Sequence, residues 1–322
     1  MSDLHEPPPL NPTQQRITDE LGATRDERPS FEPDLGASVR HWLEEEIAPL
    51  LVDADELPLF VSKHKLMLIH SCPTRYVAEE QQEFEWTVPS ARGSVAHKAI
   101  ELMVTWRGTP TPIDLVEAAL GRLEAEERGV GSFIASLDDA ERAELAGRAN
   151  DFVTTFTETF PPLRRQWVPV AESRVRAELC DGALSLQGKI DLSLGRADGT
   201  RAGKVLFDLK TGRASASHRE DLRFYALLET MKLGVPPRLL VNYYLEAGEP
   251  HREPVSTDVI EAAGKRLIDG VTKIIEATAP GADTKRVTGP GCRFCPALTA
   301  CEPGTAHIAA LDRTDLSVET DD

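Results

Sequence analysis

The sequence predicts an α/β fold with a mixed, largely antiparallel central sheet flanked by helices. Three observations lead there. Residues 168–179, 183–194 and 204–210 are extended runs separated by turns at Asp181-Gly182 and near Asp198-Gly199, and Asp-Gly between alternating runs is a strong hairpin signal. Residues 238–245, Arg-Leu-Leu-Val-Asn-Tyr-Tyr-Leu, read as one more strand, buried. Most of the remainder carries apolar residues at the three- and four-residue spacing of amphipathic helices.

Taken in order, residues 1–35 hold Pro7-Pro8-Pro9, Pro12, Pro29 and Pro33 with few large apolar residues. They are expected to be a disordered tail, with a short helical piece near 13–21. Val39, Trp42, Leu43 and Ile47 predict a helix over 37–48, stopped by Pro49. Ser62 is a candidate cap for a helix ending at Ser71-Cys72-Pro73, and Ser90 for one over 91–106. The buried stripe of that helix is Val95, Ala99, Leu102, Met103 and Trp106, with His97 and Glu101 on a neighbouring face. Helices over 113–128 and 137–160 precede the sheet, and helices over 217–233 and 257–278 follow it. Residues 36–310 are then one domain, and 311–322 an acidic tail.

The chain has 322 residues and a formal charge of −17. No apolar run is long enough to span a membrane, and the acidic, proline-rich start does not resemble a signal peptide. A cytoplasmic protein without a membrane partner is expected. The net charge argues against nucleic-acid binding by bulk electrostatics. Lys189, Lys204, Lys210, Arg213, His218, Arg219 and Arg223, with Lys63, His64, Lys65, Arg75, Arg92 and Lys98 upstream, leave a local basic groove open, and scattered surface charges explain them about as well.

Register sharpens the reading of the sheet. A turn at Asp181-Gly182 sets Glu172 opposite Asp191, and a turn about Gly199-Thr200 sets Asp208 opposite Asp191 on its other side. Lys210, two residues beyond Asp208, shares its face. Like charges directly opposed destabilise a sheet, and a hard cation with oxygen ligands, Mg²⁺ or Mn²⁺, relieves the repulsion. A lysine beside such an ion can orient water and offset charge growing on a phosphate, which suits metal-assisted phosphodiester hydrolysis. The bland alternative is a solvated charged face. It suits Glu172, whose strand also carries Arg174 and Glu178, better than Asp191, Asp208 and Lys210, which interrupt apolar strands.

Cysteines stand at 72, 180, 292, 295 and 301. The last three lie in a loop-like stretch rich in glycine and proline, and clustered thiols in a cytosolic chain more often bind metal than form disulfides. Three cysteines need a fourth ligand to close a zinc site or hold a [4Fe–4S] cluster. Cys72, in a Cys-Pro turn, is a better donor than Cys180, which sits beside a hairpin. Such a site would staple the N-terminal helices to the C-terminal loop.

These motifs together resemble the PD-(D/E)XK nuclease superfamily, in particular its RecB-like exonuclease branch with a C-terminal iron–sulfur cysteine cluster. Gly93-Ser-Val-Ala-His97-Lys-Ala-Ile-Glu101 is similar to the family's helical motif, Gly188-Lys-Ile-Asp191 to its Gly-x-Ile-Asp strand, and Asp208-Leu-Lys210-Thr-Gly212 to its Asp-x-Lys-Thr-Gly motif. Cys72 with Cys292, Cys295 and Cys301 has the one-plus-three arrangement for [4Fe–4S], with Zn²⁺ the alternative. The resemblance runs from about Ser62 to Cys301. It implies a restriction-endonuclease-like core and a Mg²⁺- or Mn²⁺-dependent deoxyribonuclease, an exonuclease acting on single-stranded DNA or free ends. Repair, recombination and CRISPR-type adaptation use such modules, with a helicase or repair complex as partner. His97, Asp191, Asp208 and the Leu209 carbonyl would hold metal, Lys210 would position the attacking water, and Glu172 would be an outer or second-metal carboxylate. The family's Gln-x-x-x-Tyr motif reads Asp221-Leu-Arg-Phe-Tyr225 here, so the tyrosine matches and the glutamine does not. Tyr225 is a site residue by that match and a core aromatic by its helix. A non-catalytic subunit that keeps the fold and binds nucleic acid is the competing reading.

Overall fold

The structure is a computed structural model that describes residues 9–215 and 217–318. Among the described residues, six strands form one sheet: β1 (Leu59–Val61), β2 (Val170–Leu179), β3 (Leu184–Leu194), β4 (Val205–Lys210), β5 (Leu239–Tyr244) and β6 (Glu249–Pro254). Pairings β2–β3, β3–β4 and β5–β6 are antiparallel, and β1–β3 and β4–β5 are parallel. Helices are α1 (Pro12–Leu21), α2 (Leu35–Ile47), α3 (Lys63–Ser71), α4 (Pro73–Glu80), α5 (Val88–Thr105), α6 (Pro112–Glu124), α7 (Val130–Ser136), α8 (Asp139–Thr159), α9 (Ser217–Leu233), α10 (Thr257–Thr278) and α11 (Glu302–Val318). This is the expected mixed α/β architecture. None of the described helices is long and apolar enough to cross a membrane.

Both hairpin registers are those the turns imply. Leu179 faces Leu184 across Cys180–Ala183, with Asp181 and Gly182 at positive φ, so the connection is four residues long yet centred on the same point. Ala171 pairs with Leu192 and Ser173 with Ile190, which sets Glu172 against Asp191. In the second hairpin Asp198 and Arg201 exchange backbone hydrogen bonds around Gly199-Thr200, and Leu192 faces Phe207.

One edge of β3 is shared in a way the sequence does not announce. β2 pairs along nearly its whole length, whereas on the other edge β1 takes residues 184–186 and β4 takes 192–194. Between them, residues 187–191 face a fork. Leu184, Leu186 and Ile190 pack into the core beneath α2, α3, α9 and α10, while Leu192 and Leu194 join Phe207, Phe156 and Tyr243 in a second core. Residues two apart normally share a face, so the strand coils sharply as it passes Asp191.

Both ends of the described chain carry helix. The short helical piece expected near 13–21 is α1, which has an Asn11 capping box and buries Ile17 and Leu21 against the core that includes Phe156 and Phe160. Two apolar residues one turn apart dock it, and Asn11 and Gln14 donate to the carbonyls of Glu158 and Thr157 at the end of α8. At the other end, α11 carries helix past residue 311 to Val318. Residues 1–8 and 319–322 lie outside the described residues.

Candidate active site

The fork in the sheet is where the predicted residues meet. The ladder between β3 and β4 ends at Leu192–Phe207, and the side chain of Asp191 takes over, its Oδ2 accepting the Leu209 N–H at 2.8 Å. The Leu209 carbonyl accepts from Nε2 of His97 on α5 at 2.9 Å. Because a carbonyl can only accept, Nε2 carries the proton, and the other nitrogen, Nδ1, faces the carboxylates. Nδ1 lies 3.5 Å from Asp191 Oδ1 and 3.9 Å from Glu172 Oε1. Burial alone would lower the His97 pKa, but Asp191, followed by Glu172 and Asp208, holds it above the ordinary histidine range. Glu172 adopts φ +52°, a left-handed conformation that costs a non-glycine residue about 1–2 kcal/mol. It also forms an ion pair with Lys189.

His97, Glu172 and Asp191 bring one ligand atom each to within 4.8 Å of one another. A nitrogen and two carboxylate oxygens at that spacing fit a divalent cation of the Mg²⁺ or Mn²⁺ class. The Nε2–H bond to Leu209 is the kind of outer contact that fixes a ligating histidine's tautomer.

Asp208 is not in that group. It is buried, with Lys63 Nζ 2.5 Å from Oδ1 and Lys210 Nζ 2.6 Å from Oδ2. Burial would raise its pKa, and the two lysines outweigh this and pull it down to about 2. Lys210 reaches a second carboxylate, Asp221 on α9, at 3.0 Å. Lys63, Asp208, Lys210 and Asp221 thus form a chain of alternating charge. Asp221, standing where the resemblance expects glutamine, serves as a counter-ion to Lys210. Lys63 also lies 5.2 Å above the Tyr225 ring. Tyr225 is at once core and site: it packs against Gly188, where a Cβ would come within 2.3 Å of Tyr225 Cε1. Burial pushes its hydroxyl up to about 12.

His97, Glu172, Lys189, Asp191, Asp208, Leu209, Lys210 and Lys63 line one pocket of about 600 Å³, together with Lys98, Arg213, His218 and Trp86. The expected set of His97, Asp191, Asp208, Lys210 and Leu209 is therefore gathered. Leu209 O faces His97, and Glu172 is more central than its strand neighbours suggested. The sequence reading placed Lys63 only among the scattered basic residues of a possible groove, with no role at the site. Its signal was a Lys63-His64-Lys65 run in the first turn of a helix, where the macrodipole disfavours cations.

A second cavity, of about 530 Å³, is lined by Cys72, Cys292, Cys295 and Cys301. The Val287 N–H donates to Cys72 Sγ and the Gly289 N–H to Cys292 Sγ, both at 3.4 Å. Cys180 is elsewhere, half-buried beside the Glu44 carbonyl. Ser215, Ser217 and Glu220 line this cavity too, so it adjoins the segment that follows Lys210.

Among solved structures the chain is similar to a candidate exonuclease from Eubacterium rectale, at 10% identity and a TM-score of 0.47, covering 76% of this chain and 88% of that one. It is also similar to the protein SSO0001, at 13% identity and a TM-score of 0.34, covering 83% and 97%. No curated protein matches it. A sequence profile of the PD-(D/E)XK nuclease superfamily matches residues 61–302, a span that opens at the end of β1, ahead of Lys63, and closes just past Cys301. The chain belongs to the PD-(D/E)XK nuclease superfamily.

Proposed function

We propose that this protein is a metal-dependent deoxyribonuclease that hydrolyses phosphodiester bonds in single-stranded DNA from a free end. The observation that carries the reading is the convergence of His97, Glu172 and Asp191 on one point beside Lys210. His97 Nδ1, Glu172 and Asp191 would hold Mg²⁺ or Mn²⁺, with Asp208 as a further carboxylate. When bound, the ion supplies Lewis acidity that neutralises the scissile phosphate and lowers the pKa of water. Lys210, steered by Asp208 and Asp221, points its ammonium into the same pocket, where it can hold the attacking water and donate to the oxyanion. Lys63 and Lys189 add positive charge on either side.

A single-strand preference is supported by Trp86, which lines the pocket, and by Phe84, 68% exposed and edge-on to Trp86 at 5.0 Å. Exposed aromatic faces stack unpaired bases without regard to sequence. The cysteine cavity suits a [4Fe–4S] cluster held by Cys72, Cys292, Cys295 and Cys301. Backbone N–H donors at the sulfurs are a feature of such sites. The convergent ligand group among the described residues does not include the cysteines, whereas a tetrahedral zinc with bonds of about 2.3 Å would draw its sulfurs to within about 4 Å of one another. The RecB-like branch, a role in repair, recombination or CRISPR-type adaptation, and a helicase or repair-complex partner extend the same reading.

A second reading, a non-catalytic nucleic-acid-binding subunit, is favoured by one observation: lysines face both oxygens of Asp208, and Lys210 is shared with Asp221. Incubating anaerobically purified protein with Mn²⁺ and end-labelled single-stranded DNA tests the proposal. Metal-dependent shortening from an end is expected. Binding without cleavage would favour the second reading.

A further inference from the structure

A third cavity, of about 360 Å³, opens where the end of β3, the start of β4, the residue before β5 and the segment after α1 converge. It shares no lining residue with the active-site pocket, and Leu194, at its wall, lies about 10 Å along β3 from Asp191. Three arginines line it, Arg28, Arg196 and Arg238, and its lining contains no aspartate or glutamate. Much of the rest of the wall is apolar, with Trp167 and Phe207 prominent.

The electrostatics of this cavity are unbalanced. Among the described residues, none of the three arginines has a carboxylate partner. Arg238 donates from Nη2 to the Leu21 carbonyl, and its Nε is buried without a partner. Arg28 donates from Nε and Nη2 to the Ala23 carbonyl at 3.4 and 3.3 Å. These carbonyls at the end of α1 orient the two guanidinium groups but carry only partial charge. Burial, and then the like charge of Arg28, pull the Arg238 guanidinium below its usual range. Arg28 and Arg238 are half-buried with no carboxylate beside them among the described residues, and guanidinium forks match the oxygens of a phosphate.

We propose that this cavity is a binding site for a phosphate group, held by Arg28, Arg196 and Arg238, with the attached organic body against Trp167. A free phosphomonoester and the phosphates of a nucleic-acid strand offer the same chemistry, and calorimetry separates them. The full-length protein, in EDTA, is titrated with inorganic phosphate, thymidine 5′-monophosphate and an unphosphorylated oligothymidylate. Arg196 is exposed, so Arg196→Ala retains the fold, and Arg28→Gln is the second variant. Each is expected to weaken the nucleotide and inorganic phosphate by about tenfold, with the denaturation midpoint of Arg196→Ala unchanged. The same loss confined to the oligothymidylate assigns the site to strand phosphates. In the Lys210→Ala background, where binding at the active-site pocket is weakened, the arginine variants should still weaken the nucleotide and inorganic phosphate by the same factor. The proposal is overturned if no probe binds, if both arginine variants bind all three like the wild type, or if their effect vanishes in the Lys210→Ala background.

Discussion

The ammonium of Lys63 stands 2.5 Å from Oδ1 of Asp208, across 145 residues of sequence. It gets there because β1, which ends two residues earlier, pairs with the first part of β3 and delivers the start of α3 to the fork. A tethered cation at this carboxylate competes with any other. Lys63→Met is expected to tighten Mn²⁺ binding by up to about tenfold, the effect of removing one nearby positive charge worth about 1 kcal/mol. Calorimetric titration at fixed ionic strength measures it, and unchanged or weaker binding would show that Lys63 does not compete.

Lys210 and Asp208 differ in what their loss does. Lys210→Ala should lower cleavage by about a hundredfold or more, because the group acts on charge that develops in the reaction, and should destabilise less than Asp208→Ala, because Lys63 still pairs with Asp208. Asp208→Ala should abolish cleavage and also destabilise by about 3 kcal/mol, since Lys63 and Lys210 lose their buried partner. Urea denaturation beside the cleavage assay separates the two effects.

Gly188 is required by contact. An alanine there would drive its Cβ to 2.3 Å from Tyr225, and overpacking of this kind costs about 1–3 kcal/mol. Gly188→Ala should lower the denaturation midpoint and reduce cleavage as Tyr225 shifts. Tyr225→Phe should keep the packing, and with it most of the stability.

His70 gives the fold a pH dependence away from the active site. Its Nε2 faces the Arg266 carbonyl at 3.0 Å, and burial, with Arg266, lowers its pKa from 6.5 to about 4. The unfolded chain therefore binds the proton more readily, so stability rises with pH across this window. The contribution is complete above pH 6.5 and is lost as pH falls toward 4. His70→Gln should flatten stability between those values; an unchanged slope in urea titrations would refute the assignment.

For the cysteines, anaerobic iron and sulfide reconstitution is expected to yield a coloured protein. Cys72→Ser and Cys301→Ser should lose the visible absorbance, while Cys180→Ala retains it. A colourless protein carrying stoichiometric zinc would end the iron–sulfur reading, because zinc's filled d shell gives no colour.

Much of this was legible along the chain because it depends on short-range rules. Asp-Gly and Gly-Thr turns fix where strands fold back, and a side-chain period of two then sets Glu172 and Asp208 on either side of Asp191. Helix caps such as Ser62 and the Asp208-Leu-Lys210 spacing are equally local. What composition hid was docking: α1 sits in a proline-rich segment and is held by Ile17, Leu21 and the hydrogen bonds of Asn11 and Gln14 to the end of α8, which a compositional average does not register.

The decisions left to tertiary structure are those between segments far apart in sequence. No local pattern says that β1 and β4 divide one edge of β3 and leave a fork, or that Lys63 enters it and binds Asp208 while His97 turns to Asp191 and Glu172. Nor does one say that Cys72 shares a cavity with Cys292, Cys295 and Cys301 while Cys180 does not. Turn geometry and side-chain alternation act over a few residues, so the sequence alone could determine which charged groups share a strand face. Which of them pair is decided by burial and Coulomb energy, and these depend on what the rest of the chain packs beside them.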